Sequence, residues 1–175
     1  MYTTLLTVPM LLAGLEGWTI GKTGLVLTTL TAASVVLAPL GGRLADRFGR
    51  RWPAVGGLTL GLLGALALAL SGEEVVLPLL IVGLSLFGIG LGLASAGMQT
   101  TSVESVSPNE AGVGAGIYST SRYLGSIVGS SLLAVFLVTN AEGVTGFGSV
   151  FTLVIVAAAI SVIVSLGLHD RPQTT

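Results

Sequence analysis

The 175-residue chain contains no cysteine, so it can hold no disulfide framework, no thiol nucleophile and no cysteine-based zinc site. Charge is almost as scarce. Asp, Glu, Lys and Arg make up 9% of the residues, against about a quarter in an ordinary soluble domain. A net charge of −1 points to no nucleic-acid partner and no polybasic grip on lipid. The lone histidine, His169, stands beside Asp170 and Arg171 near the end of the chain, where neither a metal site nor a pH sensor follows. Ser, His and Asp occur, but no nucleophile and base can be placed together, so neither an enzyme nor a cofactor is expected.

What fills the sequence instead is apolar: 52% hydrophobic residues, 26 glycines and a mean hydropathy of +0.96. No long polar stretch could make a wet surface for one oversized core, so lipid must cover much of the chain. A crossing helix needs about 20 mainly apolar residues. Five segments qualify, at approximately 24–42, 53–71, 75–99, 112–138 and 147–168. Residues 1–15 are apolar too, but at about 1.5 Å per residue they reach only some 22 Å and read as the end of a helix whose start is missing. They carry no Lys or Arg before their apolar middle and no clear A-x-A cleavage site, unlike a signal peptide. Long runs without period-2 alternation exclude a porin-like barrel. The expected fold is all-α: a polytopic membrane helical bundle of about six transmembrane helices, the first truncated, forming a single domain over 1–175.

The joints carry turn and cap chemistry. Pro53 falls in the first turn of a helix, and Asn109 or Ser107 is placed to cap the fifth. Trp18 and Trp52 sit at expected membrane interfaces. If the 43–51 joint is cytoplasmic, that side holds Arg43, Arg47, Arg50, Arg51 and Arg171, the other holds Lys22, and Arg122 lies within a helix, which accounts for all seven cations. Glu16, Glu73, Glu74 and Glu142 then fall outside. This reading gives a multi-pass protein of the cell membrane, a bacterial plasma membrane, with both termini cytoplasmic and a cytoplasmic tail at 169–175.

The joint has more structure than topology requires. Within a motif loop at 42–52, Asp46 stands among the arginines and Gly49 permits a tight turn, while Gly41 and Gly42 allow close approach of neighbouring backbones. A carboxylate at the end of one helix suits the positive N-terminus of the next, or an adjacent arginine. Asp46 is therefore expected to act as a latch.

The run Gly42-Arg43-Leu44-Ala45-Asp46-Arg47-Phe48-Gly49-Arg50-Arg51 resembles the signature cytoplasmic loop of the major facilitator superfamily, G-x-L-a-D-r-x-G-r-R. The stretch Ser107 to Leu132, "SPNEAGVGAGIYSTSRYLGSIVGSSL", resembles the penultimate helix and preceding loop of its drug/proton antiporter branch. The resemblance implies the C-terminal six-helix half of a transporter working by alternating access, with Gly42, Asp46, Arg47, Gly49, Arg50 and Arg51 in its conformational switch. Family members have two six-helix halves, so the implied partners are the N-terminal half or a second copy, membrane lipid and a small-molecule substrate. No Asp or Glu lies within the middle of any of the five spans, so proton coupling would place its titrating acid on the other half.

Arg122 costs about 2.5–3.5 kcal/mol at a helix centre, and such residues face a bundle interior or a watery cavity. The rival reading is snorkelling, since Arg122 lies about five residues, or some 8 Å, past the start of lipid contact near Ile117. Ser119, Arg122, Ser126 and Ser130 recur at helical spacing and form one polar stripe, flanked by Tyr118 and Tyr123. Gln99, at the end of the fourth helix, joins them as a cavity candidate. Glu104 and Glu110 read as solvated loop residues. Small residues recur at four-residue spacing at Gly57/Gly61, Gly88/Gly92, Gly112/Gly116 and Gly125/Gly129, as at close helix contacts. Rival readings of the whole are a half-size transporter acting as a homo- or heterodimer, and a non-transporting membrane scaffold or truncated remnant.

Overall fold

The structure, a computed structural model, describes residues 2–15, 17–71, 76–139 and 145–167. Six helices follow in order: α1 (Tyr2–Leu15), α2 (Ile20–Phe48), α3 (Arg51–Leu70), α4 (Leu77–Glu104), α5 (Ala111–Thr139) and α6 (Thr145–Leu166). One 3-10 turn, Pro108–Glu110, precedes α5, and no strand occurs among the described residues. The chain is an all-α membrane bundle. On the described residues α2, α3 and α4 are each long and apolar enough to cross a bilayer, whereas the apolar part of α6 described, Val150–Leu166, is shorter. α5 matches α2 in length at 29 residues, its apolar character interrupted by Arg122 and the serines. Glu16, Glu73, Glu74, Glu142 and the 169–175 tail, all used in the orientation argument, lie outside the described residues.

The expected motif loop at 42–52 is mostly helix. Arg43, Leu44, Ala45 and Arg47 are good helix formers, and α2 runs on through Phe48 before stopping. It stops because Gly49 takes φ 84° and ψ 164°, a conformation essentially reserved for glycine. The chain reverses within Gly49 and Arg50, and α3 begins at Arg51 with Pro53 buried in its first turn, where the missing N–H costs no hydrogen bond. α4 likewise outlasts its expected end at 99 and continues to Glu104. There Thr100 and Thr101 donate their hydroxyls to the carbonyls of Ala96 and Gly97, at 2.9 and 2.8 Å.

Packing centres on α4, which shows glycine on two opposed faces. At about 100° per residue, Gly83, Gly90 and Gly97 fall on one face, and Gly88 and Gly92 lie some 140–180° around from Gly83. The first face meets α3: a Cβ on Gly57 would lie 2.6 Å from the Gly90 carbonyl oxygen, and one on Gly64 would lie 2.7 Å from that of Gly83. The second meets α2: a Cβ on Gly92 would lie 2.6 Å from the Ser34 carbonyl oxygen, and one on Gly41 2.7 Å from that of Leu93. These pairings set α2 parallel to α4 and α3 antiparallel. Without side chains in the way, backbones gain van der Waals contact that larger residues would block. Gly42, Gly112, Gly116 and Gly125 do not take part, since a Cβ on any of them would meet nothing within 4 Å. Gly114 is the glycine that seats α5 on α4, against the Ser102 carbonyl and Val106.

The core joins Val8 and Leu12 of α1, Val26 and Leu30 of α2, Ala65 and Leu68 of α3, Leu80, Leu84 and Phe87 of α4, and Phe151 of α6. Trp18 packs against it. No described α5 residue belongs to this cluster. Several buried or half-buried hydroxyls donate back to carbonyls three or four residues earlier, as Thr23 to Thr19, Ser71 to Ala67 and Ser165 to Val162, whereas the buried Thr4 hydroxyl of α1 has no partner among the described residues.

Candidate functional site

The polar stripe lies on the side of α5 that turns toward the bundle. At about 100° per residue, the buried or half-buried positions Gly114, Tyr118, Ser119, Ser126, Ser130 and Leu133 all fall within about 80° of Arg122. The opposite arc, roughly 140–240° around, carries Val113, Ile117, Leu124, Ile127, Val128 and Val135, each 57–60% exposed. Thr120 and Ser131, both exposed, interrupt the arc. Arg122 is the twelfth residue of α5, about 16 Å along it, and its side chain is exposed although its neighbours above and below on the same face are not. Its guanidinium lies 5.6 Å from the centre of the Tyr123 ring, and it reaches no carboxylate among the described residues. Ser130 donates to the Ile127 carbonyl at 3.0 Å. The result is an inward-turned, open polar strip with one positive charge. Gln99 is exposed near the far end of α4 and is not on this strip.

At the arginine-bearing joint, Arg50 forms an ion pair with Glu104 at the end of α4. Glu104, expected as a solvated loop residue, is thus a corrected assignment: α4 is long enough to bring it to the joint. Its partner's exposure and its own, 30% and 51%, leave the pair open to water. The signal available in the sequence was charge complementarity, an acidic residue closing an apolar segment beside a basic joint. Asp46 and Arg51, both exposed, make further contacts of their own. Arg47 lies over the Phe48 ring, 5.3 Å from its centre. Ser107 caps the 3-10 turn with its backbone and donates its hydroxyl to the Glu110 carboxylate at 2.7 Å, so Glu110 is exposed but not unpartnered. Among the described residues no cluster of His, Asp or Glu could hold a metal ion.

Six alternating apolar helices, a glycine-terminated arginine joint after the second and an arginine-bearing fifth helix are the features against which comparison is informative. The entire chain, residues 1–175, matches the Major Facilitator Superfamily. It belongs to that family. Multidrug resistance protein Stp of Mycobacterium tuberculosis is 35% identical over 133 residues, covering 76% of this chain and 25% of that protein. The MFS-type transporter YvkA of Bacillus subtilis is 29% identical over 176 residues, covering 97% of this chain and 36% of its own length. Riboflavin transporter RibZ of Clostridioides difficile is 29% identical over 113 residues, covering 65% of this chain and 25% of itself. This facilitator chain therefore spans about a quarter to a third of the curated relatives it matches. No solved structure matches it significantly.

Proposed function

We propose that this chain supplies one six-helix wall of a secondary transporter that exports drugs or other small molecules in exchange for protons by alternating access. It acts as a carrier, not an enzyme. The observation that carries the reading is the division of α5 between an aliphatic outer arc and an inner strip of Ser119, Arg122, Ser126 and Ser130. One face suits lipid and the other a polar cavity at the interface between halves. Arg122 would attract an anionic or aromatic group, with Tyr118 and Tyr123 beside it. Similarity to multidrug resistance proteins supports the substrate class. Asp46, with Arg47, Arg50, Arg51 and the Gly49 turn, would bias the inward/outward equilibrium from the cytoplasmic end of the bundle in the cell membrane. A contact worth about 0.3–2 kcal/mol at a helix terminus is large enough to do so.

Transport would need a second half, encoded elsewhere or within the same longer protein, and the proton-carrying acid would lie there. The test is accumulation of a fluorescent dye in cells. Co-expression of this chain with an N-terminal half should lower it, and the lone chain should not. Efflux by the lone chain would replace this reading with a self-pairing half-transporter, and no efflux in either case would favour a non-transporting scaffold.

A further inference from the structure

Beside the arginine joint, an open groove of about 470 Å³ runs between the end of α2, the start of α3 and α4. Leu44 and Phe48 line it from α2, Trp52, Gly56, Gly57 and Leu60 from α3, and Leu93 from α4. Phe48 is 57% exposed and Trp52 69% exposed, at the end of α2 and the start of α3, and a Trp at the end of an apolar helix suits the headgroup level. The lining is apolar, and the cations stand beside it on α2. Leu40, Leu44 and Phe48 make an apolar ridge along α2, and Arg43 and Arg47 make a parallel ridge at i, i+4 beside it. Arg47 reaches across to lie over the Phe48 ring. Neither arginine pairs with a carboxylate among the described residues. Asp46 lies about 160° around the helix from Leu44 and about 60° from Arg43, and Glu104 is held by Arg50.

We propose that this groove binds an anionic phospholipid, one acyl chain lying over Gly56 and Gly57 and the phosphate meeting Arg43 and Arg47. Apolar walls alone would accept any lipid tail. The paired arginines at one mouth select net negative charge, as basic pockets between membrane helices do. An arginine near an anionic surface is worth about a fivefold preference. The site shares Arg47 with the switch proposed above, and its test reads lipid contact at Trp52 rather than transport, so the two readings fail separately.

The experiment uses the full chain in phosphatidylcholine vesicles, with Trp18→Phe leaving Trp52 as the reporter. Quenching by brominated phosphatidylglycerol is compared with quenching by brominated phosphatidylcholine. The expected result is a preference of at least about fivefold for phosphatidylglycerol, falling toward unity in Arg43→Gln/Arg47→Gln. Gly56→Leu, at a position where an added Cβ meets nothing within 4 Å, should fill the groove and reduce quenching by both lipids with helicity intact. Added inorganic phosphate should leave the quenching unchanged. Equal quenching by the two lipids in the parent chain would overturn the proposal. So would a preference that survives the double substitution, unaltered quenching in Gly56→Leu, or reversal by phosphate.

Discussion

A Cβ placed on Gly57 of α3 would lie 2.6 Å from the carbonyl oxygen of Gly90 on α4, closer than real Cβ contacts come. Replacing Gly90 by leucine must therefore drive α3 and α4 apart. The expected loss is about 1–3 kcal/mol or more, read as a lower midpoint of thermal unfolding in detergent. Gly116→Ala, in open space on α5, should leave that midpoint unchanged or slightly raised. Equal behaviour of the two variants would show that the glycine faces do not hold the bundle.

Gly49 and Gly42 make a second contrast. At φ 84° and ψ 164°, Gly49→Ala should cost about 1–3 kcal/mol from backbone strain alone. Gly42 is helical and uncrowded, so Gly42→Ala should gain roughly 0.5–1 kcal/mol. Thermal scans of both variants decide the matter, and a Gly49→Ala chain as stable as the parent would show that the joint can turn another way.

The Arg50–Glu104 pair is water-exposed, and Glu104→Gln should lower stability by less than about 1 kcal/mol, an effect that fades with added salt. Exchange of the two charges, Arg50→Glu with Glu104→Arg, should recover most of it. A salt-independent loss of several kcal/mol would mean the pair is buried in the membrane-embedded protein.

In a transporter reassembled with a second half, Asp46→Asn should shift the inward/outward distribution reported by cysteines introduced on the two sides. An unchanged labelling pattern removes Asp46 from the switch.

The chain has no cysteine of its own, so single cysteines report cleanly on α5. In vesicles, cysteines at 122 and 126 should react with a water-soluble maleimide, and those at 117, 124 and 128 should not. Reaction at 124 or 128 would place water, not lipid, on the aliphatic arc. Arg122→Ala should weaken substrate binding in the reassembled transporter more than membrane insertion, and normal binding there would return Arg122 to the snorkelling reading.

Helix number and type were legible because apolar length is a coarse signal that survives any packing. The turn at Gly49 was legible for a different reason: only glycine takes that backbone. The ends of α2 and α4 were not. Nothing local forbids Arg43–Phe48 or Gln99–Glu104 from staying helical, and hydropathy marks where lipid contact fades rather than where a helix stops. Four-residue glycine spacing was an unreliable guide to contact. Gly57/Gly61 and Gly88/Gly92 meet neighbours, yet Gly112 and Gly116 do not and Gly114 does, because which face of α5 turns inward is set by its packing on α4, α1 and α6 and not by spacing within α5. The stripe of Ser119, Arg122, Ser126 and Ser130 was visible as a pattern, but its direction required the exposed arc on the other side.

Glycine on both sides of α4 has a mechanical consequence. With α2 and α3 pressed backbone to backbone against it, neither can slide without driving a side chain into the facing backbone. Any motion of the bundle must then carry those three rods as a single slab, and the freedom to bend falls to the helices packed outside it, among them α5 with Arg122.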